Sequence, residues 1–168
     1  MMNQWLRNND KVAMVLAVIR IYLGYTWLMA GIGKVTGGFE TSGFLQAAIG
    51  KAEGVHPAVQ PWWAAFLETV ALPNHEIFTF LVMWGEVLVG IALILGLFTN
   101  FAALAGILMN FAFLLSGTTS TNPQMVILTI FLIVAGANAG KYGLDRWVMP
   151  YLRQQTPIRK ILHLPNHA

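Results

Sequence analysis

Four long apolar runs dominate the pattern of hydrophobic and polar positions along the chain. Each run is continuous rather than alternating, which predicts helices and argues against a membrane barrel, whose strands alternate polar with apolar residues. A helix needs about 20 residues to cross a hydrocarbon core of roughly 30 Å. The sequence therefore predicts an all-α fold, a single membrane domain over residues 1–168 built as a four-transmembrane-helix bundle. Its predicted spans are residues 12–34, 77–98, 100–117 and 123–142.

The connections between the predicted spans differ in length. Thr99-Asn100 forms a tight hairpin between the second and third spans, and a polar loop ending at Pro123 precedes the fourth. The outer segment between the first two spans, residues 35–76, is too long for a simple loop, so we predict that it is partly helical. One short helix is expected over residues 41–52, capped by Thr41 or Ser42, and an interfacial or re-entrant helix after Pro61. Residues 143–168 are predicted to form a cytoplasmic tail.

Composition narrows the class of protein. Of the 168 residues, 57% are hydrophobic and only 10% are charged, which excludes a soluble enzyme because such a surface cannot face water. The chain has no cysteine, so disulfides, thiolate metal sites and CxxC redox pairs are excluded. No histidine spacing suits a metal, so we predict no metal site and no covalent cofactor. No separate basic domain is present, and we predict no nucleic-acid partner.

Charge asymmetry predicts the orientation of the bundle. Four spans put both termini on one side, together with the residues after the fourth span. That side carries seven basic residues against two acidic ones, namely Arg7, Lys11, Lys141, Arg146, Arg153, Arg159 and Lys160 against Asp10 and Asp145. The other side carries two basic residues against four acidic ones, namely Lys34 and Lys51 against Glu40, Glu53, Glu68 and Glu76. We therefore predict a multi-pass protein with cytoplasmic N- and C-termini.

Two charged side chains and one amide within the first three predicted spans are the first place to look for function, since charges at bilayer depth are costly unless paired. At 1.5 Å per residue, Arg20, Glu86 and Asn110 lie about 12, 18 and 14 Å from the cytoplasmic ends of their helices. These depths predict one shared polar layer inside the bundle. Two interpretations are open: an ion pair that sets the helix register, or a site that binds a polar ligand head or relays protons.

Further candidates lie at the outer rim. Lys34 shares a helix face with Arg20 and Trp27 at seven-residue intervals, and it either pairs with a loop glutamate or extends toward the water. Trp62 and Trp63 belong either to an aromatic belt at the membrane surface or to a lid over a flat hydrophobic ligand. Glycines at residues 24, 31, 85 and 90 predict close helix packing.

Three sets of residues together resemble the DoxX family of DoxD-like four-helix membrane proteins. They are Arg20 with Gly24 and the Gly31-x-x-Lys34 end of the first span; Gly85-Glu86-x-x-x-Gly90-x-x-Leu93-x-Leu95-Gly96-Leu97-x-Thr99; and Asn138-Ala139-Gly140-Lys141-Tyr142-Gly143-Leu144-Asp145-Arg146. Members of this family are associated with thiosulfate:quinone oxidoreductase and a terminal quinol oxidase. The resemblance implies a bacterial or archaeal plasma-membrane protein with Arg20, Lys34 and Glu86 as candidate functional residues.

Three hypotheses of function follow. The first is a redox-associated subunit that binds quinone or another lipophilic molecule among its helices, working with a redox-protein partner in the bilayer. The second is a non-catalytic scaffold, assembly factor or chaperone that recruits a partner through the outer segment. The third is a transporter of small solutes or lipids. Glycine-lined faces also predict self-association, and we expect a homodimer.

Overall fold

The helices of the computed structural model follow the predicted apolar runs. It describes residues 2–155, with side chains over residues 4–154; the final residues of the predicted tail, 156–168, lie outside this range. Within it no strand occurs, so the all-α prediction is confirmed. The α-helices are α1 (Met2–Asn8), α2 (Asp10–Gly37), α3 (Thr41–Gly50), α4 (Pro61–Phe66), α5 (His75–Leu95), α6 (Thr99–Leu115), α7 (Asn122–Ala135) and α8 (Asp145–Gln155).

Three of these segments are long and apolar enough to cross a membrane. They are α2, α5, and α7 extended by the 3-10 turn Gly136–Gly140. The apolar helix α6 has 17 residues, a length of about 26 Å, which is slightly less than the hydrocarbon thickness. The prediction of membrane helices is thus confirmed for three segments, and the fourth span stays a prediction. Helices α1 and α8 were not predicted.

Helix ends follow from local chemistry. Asn9 caps α2, since its side-chain oxygen accepts the backbone N–H groups of Lys11 and Val12 at 2.9 and 3.3 Å. Gly38 ends α2 in the left-handed conformation, with φ of +66°, which a residue with a Cβ rarely adopts. Pro123 lies in the first turn of α7, where a missing N–H costs nothing.

The closest packing in the bundle is between the antiparallel helices α2 and α5. A Cβ on Gly24 would lie 2.8 Å from the carbonyl oxygen of Gly90, and a Cβ on Gly90 would lie 2.5 Å from the backbone nitrogen of Leu28. A Cβ on Gly31 would meet the backbone of Val87 at 2.7 Å. The two backbones can approach this closely only because these positions are glycine, as in other membrane helix pairs.

Two ends of the bundle can be defined from these helices. The terminal end is where α2 begins, α5 turns into α6, and the 3-10 turn Gly136–Gly140 meets α8. Here the backbone N–H of Leu144 donates to the carbonyl of Leu95 at 3.0 Å, and the side-chain amide of Asn138 donates to the carbonyl of Leu6 at 2.8 Å. The loop end is where α2 stops, α5 begins and α6 passes into α7.

The outer segment is partly helical, as predicted, and it packs on the loop end. It contains α3 and α4, and α4 continues into the π-helical turn Leu67–Ala71. These elements share a small apolar cluster of Leu45, Ala48, Leu67 and Ala71. The capping prediction for α3 was wrong: Glu40 precedes the helix, and the Thr41 hydroxyl instead donates to the carbonyl of His75 at 2.8 Å, which ties α3 to α5.

A substitution at the α2–α5 contact tests the packing. We expect Gly90→Ala to destabilise the protein by about 1–3 kcal/mol, because the new methyl group overlaps the backbone of Leu28. Gly33→Ala is the matched control, since a Cβ there meets nothing within 4 Å. Thermal unfolding of both variants in detergent measures the effect, and equal midpoints would contradict the proposed contact.

Candidate functional site

A salt bridge between Lys34 and Glu86 joins α2 to α5 near the loop end. The Lys34 ammonium donates hydrogen bonds to both carboxylate oxygens of Glu86, at 2.8 and 2.7 Å. The Glu86 side chain is only 1% exposed, and that of Lys34 is 25% exposed. A buried carboxylate of this kind is costly unless its charge is balanced, and the two short hydrogen bonds supply that balance.

Helix packing explains why these two residues meet. Glu86 lies directly across from Gly31, where a Cβ would come within 3.1 Å of the Glu86 Cβ. Lys34 follows Gly31 by three residues, so it extends from nearly the same helix face. Two aromatic rings flank the ammonium, with the ring centres of Phe39 and Phe113 at 5.5 and 5.9 Å. Both rings add cation–π attraction to the salt bridge.

The salt bridge lines a cavity of about 220 Å³, which we call the loop-end cavity. Its walls come from α2, α3, α5, α6 and α7, together with Phe39 and the loop between α6 and α7. The aromatic part of its lining is Trp27, Phe39, Phe44 and Phe113. The polar part is Thr26, Lys34, Glu86, Thr118, Ser120, Thr121 and Asn122. An ion pair thus faces a space whose other walls are partly aromatic and partly polar.

Two buried polar groups close to this region have no protein partner. The Trp27 indole nitrogen, on a side chain that lines the cavity, is buried without a hydrogen bond, and so are both amide atoms of Asn110. Trp27 packs against α6 at Gly106, one helical turn before Asn110. Buried polar groups nearly always have a partner, so water or a ligand is the expected partner here.

The paired tryptophans of the outer segment take different positions. Trp63 is half-buried, stacks on Phe66 with ring centres 5.1 Å apart, and donates its indole N–H to Ser116 at 2.9 Å. It lines a second, apolar cavity of about 80 Å³, which shares the Phe44 and Phe113 walls of the loop-end cavity. Trp62 is 60% exposed and contacts Trp63 edge-on. Of these two tryptophans, only Trp63 therefore packs over the loop end of the bundle.

Arg20 lies at the terminal end and is almost fully buried. Its guanidinium donates to the carbonyl of Tyr142 at 3.0 Å, while Nε and Nη1 have no hydrogen-bond partner. A Cβ on either Gly96 or Gly143 would overlap the guanidinium and would also lie 2.7 Å from the Cα of the other glycine, so both positions favour glycine. The nearest balancing charge is Asp145, which attracts Arg20 electrostatically.

Asp145 organises the junction around Arg20. Its two carboxylate oxygens accept the backbone N–H groups of Phe98 and Thr99, at 2.7 and 2.8 Å, and so cap the start of α6. Its own N–H donates to the carbonyl of Gly96 at 2.8 Å. Phe98 has φ of +49°, which is a strained conformation for a residue other than glycine. The Asp145 carboxylate holds the backbone N–H of Phe98 in place.

A comparison with protein families matches residues 15–118 to DoxX. The chain belongs to the DoxX family. The matched range contains Arg20, Lys34, Glu86 and Asn110, whereas Asp145 lies beyond it. No curated protein and no solved structure matches the chain. Family membership and the apolar helices of this DoxX protein together support a location in a membrane.

The predicted polar layer is not formed in this DoxX protein. Arg20 and Glu86 were expected at similar depth in the bundle. In the structure Glu86 lies beside Gly31 of α2. Arg20 precedes Gly31 by eleven residues, so it lies about 16 Å away from Glu86 along the axis of α2. Glu86 pairs with Lys34 instead. The predicted helix bounds agree with the structure to within a few residues. The depths, however, were counted along each helix separately, and such counts do not determine the register between the antiparallel helices α2 and α5.

Several important residues escaped prediction from the sequence. Asp145 was counted as a cytoplasmic charge, although it also lies in the third residue set on which the resemblance to the DoxX family was based, and that was a usable signal. Phe39 and Phe113 lie far apart in the chain and carry no distinguishing pattern, so only the structure brings them to Lys34. The seven-residue spacing of Arg20, Trp27 and Lys34 was informative, since all three side chains face the bundle interior.

Replacement of Asp145 tests the terminal junction. We expect Asp145→Ala to destabilise the DoxX protein by about 1–3 kcal/mol, because two backbone N–H groups lose their acceptor and Arg20 loses its balancing charge. Asp145→Asn should fall between, since an amide keeps one acceptor atom. Asp10→Ala removes an exposed carboxylate paired with Lys141 and should change little. Thermal unfolding in detergent would rank the three variants, and an equal loss in Asp145→Ala and Asp10→Ala would refute the capping role.

Proposed function

We propose that this DoxX-family protein is a membrane subunit that binds a quinone, or a flat lipophilic molecule of similar shape, in the loop-end cavity. The observation that carries the proposal is the buried Lys34–Glu86 salt bridge facing an aromatic-walled space. Ligand sites typically combine apolar and aromatic walls with a few placed polar groups. The resemblance to proteins associated with thiosulfate:quinone oxidoreductase supports the choice of a quinone.

The residues present fit a quinone head group. A cavity of about 220 Å³ is smaller than the roughly 300–1,000 Å³ of sites that enclose a drug-sized ligand. It therefore suits a single ring, with any lipid tail outside. The wall formed by Thr26 and Ala30 of α2 is only partly buried, and it offers a direction in which a tail could leave toward lipid.

Several residues of the cavity wall have a role in this proposal. A bound quinone supplies an acceptor for two electrons and two protons. The Lys34 ammonium can donate a hydrogen bond to a ring oxygen, while Glu86 holds that ammonium in position and can accept or release a proton. Phe39 and Phe113 stack against the ring and keep water out. The indole ring of Trp27 adds a further aromatic group to the same cavity wall.

A double substitution separates ligand binding from a purely structural role of the salt bridge. Lys34→Met/Glu86→Met removes both charges together and leaves no unpaired buried ion, so the bundle should stay folded. We expect this variant to bind decylubiquinone at least tenfold more weakly than the unmodified protein. Quenching of tryptophan fluorescence in detergent measures the binding, and circular dichroism checks the helical content.

Two controls define the outcome of this experiment. Glu68→Gln changes an exposed carboxylate of the outer segment that does not line the cavity, and it should bind as the unmodified protein does. Trp27→Phe should lower the quenching more than Trp62→Phe, because only Trp27 lines the loop-end cavity. If a folded Lys34→Met/Glu86→Met variant binds decylubiquinone with unchanged affinity, the salt bridge only sets the register between α2 and α5, and the proposal is contradicted.

We also propose that α6 completes a four-span bundle in a prokaryotic plasma membrane, with both termini in the cytoplasm. Support comes from the connection of α6 to both neighbours: its start lies at the terminal end through Asp145, and its end lies at the loop end through Ser116. Residues flanking α6 make up the small shortfall in its length. The excess of basic residues at the terminal end supports the orientation.

Single cysteines test this topology, because the chain has none of its own. A membrane-impermeant maleimide added to intact cells should label Glu53→Cys and Ser120→Cys. It should label Asn8→Cys and Arg153→Cys only after the membrane is permeabilised. Labelling of residues 8 and 153 from opposite sides would contradict four spans, and labelling of both in intact cells would reverse the orientation.

A further inference from the structure

A further cavity, of about 430 Å³, lies at the terminal end, away from the loop-end site. We call it the basic cavity, because four cationic side chains line it: Arg7, Lys141, Arg146 and Arg153. It lies between α1, the turn ending at Gly140, and α8. The amides of Asn8 and Asn100 also reach its wall. Four positive charges around one space repel each other unless an anion lies among them.

The four cationic side chains differ in whether they already form a hydrogen bond or an ion pair with another group of the protein. Arg7 donates through Nε to the carbonyl of Val134 at 3.0 Å, and Lys141 pairs with Asp10. Arg146 and Arg153 form no ion pair in the part of the chain that the structure describes. Arg146 lies 5.9 Å from the ring centre of Trp147, a contact that uses none of its N–H groups. Both guanidinium groups are therefore available to a ligand, and their forked donors match the oxygens of a phosphate especially well.

One carboxylate lines the basic cavity, but it does not neutralise these arginines. Both oxygens of Asp145 already accept backbone N–H groups, those of Phe98 and Thr99. Its charge is further balanced by the start of α6 and by the buried Arg20. The residues that line the cavity thus carry four positive charges against one negative charge.

Helix α8 indicates where the cavity lies relative to the membrane. Arg146, Met149, Pro150 and Arg153 follow a three-to-four residue spacing and face the cavity. Trp147 and Tyr151 lie away from the cavity, 65% and 61% exposed. Exposed aromatic side chains on a basic amphipathic helix are typical of the zone between lipid head groups and acyl chains. Four residues separate the end of the candidate span Asn122–Gly140 from the start of α8, and this short connection fits that depth.

We infer that the basic cavity binds the phosphate of an anionic phospholipid head group, with Arg146 and Arg153 as its main donors. A lipid is favoured over free phosphate because both arginines lie on an amphipathic helix close to the end of a candidate span, next to the exposed aromatic residues Trp147 and Tyr151. The binding is independent of the proposed quinone site, since the basic cavity shares no lining residue with the loop-end cavity.

Native mass spectrometry of the delipidated full chain in detergent tests the inference. We expect bound dioleoylphosphatidylglycerol but no retained phosphatidylcholine at equal concentration. Arg146→Gln/Arg153→Gln should weaken phosphatidylglycerol binding about thirtyfold, as the loss of two cations near a lipid surface implies. Arg146→Lys/Arg153→Lys keeps both charges but loses the forked donors, so it should bind more strongly than the glutamine variant and more weakly than the unmodified protein. Higher salt should weaken binding by the unmodified protein.

Matched controls decide between the sources of phosphate. Lys11→Gln removes an exposed cation at the same end that does not line the cavity, and it should bind the lipid normally. Equal retention of the two lipids by the unmodified protein would overturn the inference whether or not the variants fold. Displacement of phosphatidylglycerol by equimolar inorganic phosphate would overturn the assignment to a lipid. If Lys11→Gln weakens phosphatidylglycerol binding as much as Arg146→Gln/Arg153→Gln does, the lipid responds to the general surface charge and not to a specific site, which would also overturn the inference.

Discussion

The close approach of α2 and α5 is the constraint on which the rest of the molecule depends. Glycines at residues 24, 31 and 90 let the two backbones come into contact, and side chains at these positions would force them apart. This contact places Glu86 beside Gly31 and therefore within reach of Lys34. The same register puts Arg20 against Gly96 at the other end of α5. Both polar centres thus follow from one apolar interface.

The two polar centres are stabilised in different ways. Lys34 and Glu86 balance each other directly, through two short hydrogen bonds beside aromatic rings. Arg20 is balanced indirectly, because Asp145 is occupied by backbone N–H groups and acts on Arg20 through space. The first centre faces a cavity and leaves room for a ligand. The second is filled by glycine backbones and joins three chain segments, which is the arrangement of a structural junction.

Much of the fold could be predicted from the chain alone. Continuous apolar runs indicated the membrane helices to within a few residues, because burial in lipid demands both length and lack of charge. Gly38 and Pro123 mark helix ends by their own backbone chemistry. The short helices α1 and α8 were missed, since neither has a long apolar run. The 40-residue outer segment was correctly expected to be structured, but the role of Thr41 as a tie to α5 depends on a distant carbonyl.

The sequence by itself determined which residues are costly to bury, and so it identified Arg20, Lys34, Glu86 and Asn110 without any structure. It could not determine which of them meet. Pairing depends on the register between antiparallel helices, and a shift of two turns moves a side chain by about 11 Å. Only the tertiary structure decided that Glu86 pairs with Lys34, that Asp145 belongs with Arg20, and that aromatic rings from three segments close the loop-end cavity. Contacts between distant segments set these outcomes, and no local pattern encodes them.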